Sequence, residues 1–148
     1  KAFAPTSDKN TLLKINKKER RKAIRSAIAA SKYVIIDAKL EALKKTKDVE
    51  KSLNSNKLDQ ELVRAKSKKV RAGVGTRRGR KYKTKVGPLM IFSKACPAMI
   101  AAENLAGIDV VVVNNLNAEL LAPGGQTGRT TVWSSDAIKK LKEENLFN

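Results

Sequence analysis

The sequence predicts an α/β fold, a sandwich on a mainly parallel central sheet with basic extended segments attached. Two observations predict it. Short β-branched or aliphatic runs at 33–36, 89–92, 109–113 and 130–133 alternate with helical patterns at regular intervals, and the links between them are short. That is the order expected of a parallel sheet crossed by helices. Val110 to Val113 form a run of four valines with no polar alternation, which fits a strand covered on both faces.

Residues 1–11 show neither helical nor strand periodicity and read as a loop or arm. Asn16 followed by Glu19 reads as a capping pair. The helix it opens runs to about Ser31, with Ile24, Ala27 and Ile28 on one face and Lys18, Lys22 and Arg25 on another. Such a helix docks by its aliphatic side and turns its cations outward, as a basic helix lies along phosphates. Tyr33 to Ile36 is the first strand. Residues 48–53 and 57–69 read as two short helices, the second carrying Leu58, Leu62 and Ala65 at spacings of four and three. Gly73, Gly75 and Gly79 end any helix, so a loop follows. Pro88 then introduces Leu89, Met90, Ile91 and Phe92, a buried strand. Pro97 suits the first turn of a helix holding Ala98, Met99, Ala101, Ala102 and Leu105, and Gly107 lies just beyond its end. The valine strand comes next, then a brief helix or turn at 116–121. After the strand at 130–133, Ser134 or Ser135 caps a last helix whose Ile138 and Leu141 face inward. The expected organisation is an extended arm at 1–15, the end of a loop, followed by a single α/β domain over 16–148 with a basic helix at 16–31 and a basic loop at 66–87. No internal repeat is evident.

Charge and core are separated along the chain. Its 148 residues carry a formal net charge of +18. Residues 1–32 contribute ten cations against Asp8 and Glu19, whereas 33–65 are nearly balanced and 86–148 carry five cations and six anions. The densest stretch is 66–85, KSKKVRAGVGTRRGRKYKTK, with ten Lys or Arg, three glycines and no carboxylate in twenty positions. Acidic residues are normally interspersed on an ordinary soluble surface. A surface of one sign, with arginines able to grip phosphate oxygens as a planar fork, points to RNA or DNA. Only six aromatics are present, so phosphate and shape contacts are better supplied than stacking along a groove.

Several classes are excluded or weakened. There is no histidine, and Cys96 is the only cysteine, so disulfides, zinc fingers and His-dependent acid–base chemistry are not available within the chain. Cys96 precedes Pro97 and reads as a small turn residue rather than a nucleophile. No apolar stretch approaches the roughly 20 residues of a membrane helix and no signal-peptide pattern opens the chain, so a cytosolic protein without a membrane partner, metal or cofactor is expected. Gly124-Gly125-Gln126 matches the triplet that class I release factors use in peptidyl-tRNA hydrolysis, but three residues carry little without their context. A turn freeing backbone N–H groups near Arg129 is the better reading, with Arg129 adding one phosphate contact. Gly73-Val74-Gly75 with Gly79 lacks the strand before and the Gly-Lys-Ser/Thr after that a nucleotide loop needs. Asp109, Glu119 and Asp136 each fall at an element end, where capping accounts for them, so an RNA-processing enzyme is poorly supported.

Four strings, in order and covering most of the chain, carry a family resemblance: INKKERRKAIRSAIAAS at 15–31, VRAGVGTRRGRKYK at 70–83, NLAGIDVVVVNNLNAELLAPGG at 104–125 and GRTTVWSSDAIKKL at 128–141. Together they resemble the universal large-subunit ribosomal protein L-four family, in its archaeal and eukaryotic branch. The resemblance implies a three-layer α/β core and a long basic loop reaching through large-subunit ribosomal RNA to the wall of the peptide exit tunnel. KAFAP at 1–5 resembles the returning limb of that loop. The family's first strand, opening helix and most of the tunnel loop would then precede Lys1, within a longer protein or on a separate chain completing the amino-terminal half. Ribosomal RNA and neighbouring ribosomal proteins are the implied partners, in the cytoplasmic large subunit. The implied role is structural rather than enzymatic, in support of assembly and translation; an extra-ribosomal regulatory RNA-binding protein is the alternative. The implied RNA-binding residues are Lys17, Lys18, Arg20, Arg21, Lys22 and Arg25 on the helix, and Lys68, Lys69, Arg71, Arg77, Arg78, Arg80, Lys81 and Lys83 in the loop. Tyr82 is expected to stack on a base or sugar.

Overall fold

The computed structural model describes residues 7, 8, 10 and 12–147. The limb expected at 1–5 lies outside the described residues, as does much of the arm expected at 1–15.

A four-stranded parallel sheet forms the middle layer. Its strands are β1 (Lys32–Ile36), β4 (Leu89–Phe92), β5 (Asp109–Val112) and β6 (Thr130–Ser134), in the spatial order β1-β6-β4-β5. All three neighbouring pairs are parallel. The expected α/β fold on a parallel sheet is therefore the observed one, and helices cover both faces to complete three layers. Every residue of β4 is buried. Its alternate side chains serve different layers: Met90 and Phe92 enter the core formed with α2 (Thr46–Ser55), α3 (Asp59–Lys66) and α4 (Pro97–Glu103), while Leu89 and Ile91 enter the core beneath α1 (Lys17–Ala30), α5 (Ala118–Leu121) and α6 (Ser135–Glu143). The valine run has the same cause. Val111 and Val113 point to the second core and Val110 to the first, so neither face tolerates a polar residue.

Local chemistry explains the helix limits. Asn117 accepts from the Leu120 N–H at 2.8 Å and opens α5, and the Ser134 hydroxyl accepts from the Ala137 N–H at 3.1 Å and opens α6. Asn16 stands at the N-cap of α1 in extended conformation, but its side chain makes no capping bond, contrary to the expected capping pair. The helix is held instead by Ile24, buried, and by the half-buried Ala27 and Ile28.

One further difference from expectation matters for function. The helix expected at 57–69 spans Asp59–Lys66. Lys57 adopts a left-handed φ of 62° before it. After it, the Ser67 N–H and hydroxyl both donate to the Arg64 carbonyl, at 3.2 and 2.7 Å. Lys68 and Lys69 then leave the helix for β2 (Lys68–Val70), which pairs antiparallel with β3 (Tyr82–Thr84). The region read as an irregular loop is a β-hairpin. Its strands are three residues long and wholly exposed, so the alternation that identifies a half-buried strand is missing.

A buried carboxylate ties the layers together at the sheet edge where the strands end. Glu41 accepts from the Ser93 N–H (3.0 Å), the Ser93 hydroxyl (2.8 Å) and the Ser134 hydroxyl (2.5 Å). Lys140 reaches the same corner by donating to the Ser93 carbonyl at 3.1 Å. Among the described residues, no buried side-chain polar atom lacks a partner.

Candidate nucleic-acid interface

The hairpin has no buried residue of its own. Lys68 faces Thr84, Lys69 faces Lys83 and Val70 faces Tyr82. The Arg71 N–H donates to the Lys81 carbonyl at 2.8 Å, which extends the ribbon by one more pair. Directly opposed residues share a face and successive pairs alternate. Lys69, Lys83, Arg71 and Lys81 therefore crowd one face, and Val70 and Tyr82, 55% and 53% exposed, lie on the other. Like charges directly across a ladder are destabilising in water. Among the described residues, no ion pair involves a cation between Lys68 and Lys85. The repulsion is therefore not offset by an ion pair among the described residues.

The tip carries the remaining arginines. A short 3-10 turn at Val74–Thr76 closes it. The Thr76 hydroxyl donates to the Arg71 carbonyl at 2.6 Å and the Arg80 N–H to the Gly75 carbonyl at 3.0 Å. Gly73 and Gly79 flank this turn with φ of 81° and 76°, values that side chains rarely adopt. Arg77, Arg78 and Arg80 are all exposed here. The Lys81 ammonium sits 5.6 Å from the Tyr82 ring centroid, within cation–π range.

The hairpin's root is anchored at the sheet edge where β4 and β5 begin. The Gly87 N–H donates to the Gly107 carbonyl at 2.7 Å. Arg64, itself paired with Glu61, donates to the Val86 carbonyl at 2.9 Å. Lys66 pairs with Glu50 at 2.7 Å, tying α3 to α2 just before the ribbon starts.

The cations of α1 form a second surface. Lys17, Lys18, Arg20, Arg21, Lys22 and Arg25 are all exposed. Lys18, Lys22 and Arg25 recur at helical spacing on the outer face, away from the buried Ile24, whereas Arg21 lies one turn before Ile24. Arg20 and Arg21 border a hollow of about 380 Å³ shared with Asn114, Asn115, Asn117, Leu146 and Phe147. The asparagines follow β5, so this hollow lies where the strands end. The two basic surfaces thus occupy opposite ends of the sheet and are not brought together. Asn114 and Asn115 entered no sequence expectation; their signal was two exposed amides directly after a buried valine run.

Arg129 belongs to neither surface. It is 9% exposed, and its guanidinium is engaged inside the protein: Nε donates to the Gly87 carbonyl at 2.9 Å, Nη1 to the Leu120 carbonyl at 2.6 Å and Nη2 to the Asp109 carboxylate at 2.5 Å. The expected phosphate contact at Arg129 does not fit this placement. In the nearby Gly124-Gly125-Gln126 turn two N–H groups are already used, those of Gly125 and Gln126 donating to the Ala122 and Pro123 carbonyls. Asp109 likewise serves as the ion-pair partner of Arg129 rather than as a cap. Asp136, in the first turn of α6, pairs with Lys139 at 2.9 Å.

Nothing in the rest of the described structure competes as a reactive centre. Burial pushes the Cys96 thiol above its ordinary value, opposed in part by the Met99 N–H, which makes it a poorer nucleophile at neutral pH. Among the described residues, no group of three or more His, Cys, Asp or Glu is placed to hold a metal ion, and no helix is long and apolar enough to cross a membrane.

Residues 1–144 match the Ribosomal protein L4/L1 family. The Large ribosomal subunit protein uL4 of Nanoarchaeum equitans is 42% identical over 164 residues, covering 99% of this chain and 61% of its own length. The protein of the same name from Methanoculleus marisnigri is 42% identical over 159 residues, covering 96% and 63%, and that from Methanococcus vannielii is 40% identical over 162 residues, covering 97% and 64%. The chain therefore spans a little over three fifths of the length of these curated relatives.

Proposed function

The chain belongs to the Ribosomal protein L4/L1 family, and on that footing we propose that it is a structural constituent of the large ribosomal subunit that binds ribosomal RNA through its basic hairpin and the outer face of α1. In this reading it supports assembly and translation near the peptide exit tunnel, beside neighbouring ribosomal proteins in the cytoplasm, and carries out no reaction.

The observation that carries the proposal is the ladder of opposed cations, Lys69 with Lys83 and Arg71 with Lys81. An arrangement that is unfavourable in water becomes favourable against closely spaced phosphates, which release their condensed counterions on binding. Arg71, Arg77, Arg78 and Arg80 are the phosphate clamps, with Lys68, Lys69, Lys81 and Lys83 beside them. Tyr82 stacks on a base or sugar from the opposite face. Lys17, Lys18, Arg20, Arg21, Lys22 and Arg25 form the second contact. Because the sheet separates the two surfaces, each meets its own stretch of RNA, and the rigid core sets the distance between them.

Sedimentation tests the assignment. In a lysate of its source, the protein should travel with large subunits through a gradient at moderate salt. Its absence from that fraction would contradict the proposal.

A further inference from the structure

We propose that Arg129 is a positioning residue for the basic hairpin, fixing from inside the core how the ribbon is presented to RNA while touching no RNA itself. This inference rests on the reading that the hairpin binds ribosomal RNA.

Three acceptors in three elements converge on its guanidinium: the Gly87 carbonyl in the hairpin's returning leg, the Asp109 carboxylate at the start of β5, and the Leu120 carbonyl in α5. Only a planar fork with five N–H donors reaches three such directions at once; a lysine ammonium is a point donor on a flexible stem. The buried guanidinium is offset by Asp109 from the half-exposed side, so removing the Asp109 charge leaves a buried cation uncompensated. The ribbon needs such an anchor. It buries nothing of its own, opposes like charges, and a two-stranded hairpin alone is marginal in water. Its direction must come from its root, where Arg129 supplies a contact that reaches through to the opposite helical layer. A binding element held in place before it meets its partner avoids much of the ordering cost of association.

The test combines hydrogen exchange on the free protein with binding to purified large-subunit ribosomal RNA across a salt series, for wild type, R129M, R129K and D109N. Arg129→Met should speed exchange at Gly87 and through residues 68–84, and weaken RNA binding about tenfold. It should leave the slope of log K against log salt unchanged, because every phosphate ligand is still present. Arg129→Lys should behave like Arg129→Met although it keeps the charge. If R129M loosens β4 and β6 as well, the nearly isosteric D109N, altered at a half-exposed carboxylate, carries the comparison with the same expected pattern. A slope reduced by about 0.7–0.9 in R129M and restored in R129K would make Arg129 a direct phosphate ligand and overturn the inference. So would wild-type exchange and affinity in both R129M and D109N. A wild-type protein that binds no ribosomal RNA would overturn the underlying reading instead, even with hairpin exchange raised in R129M.

Discussion

Gly87 and Gly107 meet backbone to backbone: the Gly87 N–H donates to the Gly107 carbonyl at 2.7 Å, and a Cβ on Gly87 would stand 2.6 Å from that same oxygen. This contact joins the hairpin's returning leg to the turn before β5 and leaves room for no side chain. Ala65, at the end of α3, closes the other side. A ribbon without a core of its own therefore starts from one of the tightest points in the molecule.

Substitution at this junction should be costly. A Cβ on Gly107 would approach Ala65 Cβ to 2.9 Å and the Lys85 carbonyl to 3.0 Å, at a φ of +76°. Gly107→Ala should lower unfolding free energy by about 1–3 kcal/mol, read as a reduced urea midpoint at constant m-value. A midpoint equal to wild type would show that the junction yields easily.

The Glu41 carboxylate should matter to stability and not to RNA. Removing it in Glu41→Ala strands the Ser93 and Ser134 donors in a buried corner, at a cost of about 2 kcal/mol or more. Chemical denaturation measures that loss. The salt slope of RNA binding should stay at the wild-type value, since no exposed cation changes.

Lys83→Glu should separate hairpin stability from binding. It turns the Lys69–Lys83 repulsion into an attraction, worth about 0.2–1 kcal/mol to the free ribbon. Amide exchange at Lys69 and Arg71, whose N–H groups point across the ladder, should slow while RNA affinity falls. Faster exchange, or unchanged affinity, would contradict the idea that the ladder holds its repulsion for phosphates.

Much of this was legible in the chain, and the gaps have physical causes. The parallel sheet could be read because β4 is buried on both faces and the valines of β5 pack into both cores, which favours unbroken apolar runs. The hairpin strands could not, because neither face of Lys68–Val70 or Tyr82–Thr84 is buried and no alternation is required of them. Arg129 was misplaced for a related reason. One-dimensional charge does not distinguish a cation aimed at solvent from one aimed at Asp109 twenty residues earlier. The Asn16 cap failed because a favourable residue at the right position need not turn its side chain inward.

Cys96 gives a pH-dependent check on the fold. Its thiol is held above its ordinary value chiefly by burial, so folding favours the neutral form. That contribution to stability is complete below the unfolded pKa of about 8.5 and is lost as pH rises through the higher folded value. Iodoacetamide should therefore alkylate Cys96 more slowly in the native protein than in urea at pH 8, and the native rate should climb at higher pH than the unfolded one. Faster native alkylation at pH 8 would place the thiol in a different environment.

The salt dependence of binding to large-subunit ribosomal RNA, compared between wild type and a variant with Arg71, Arg77, Arg78 and Arg80 all changed to Ala, tests the central claim most directly. These side chains are exposed, so thermal unfolding should change little. The slope of log K against log salt should drop in magnitude by about 3, near 0.7–0.9 for each arginine–phosphate pair removed. An unchanged slope and affinity would contradict the claim that the hairpin is the RNA clamp.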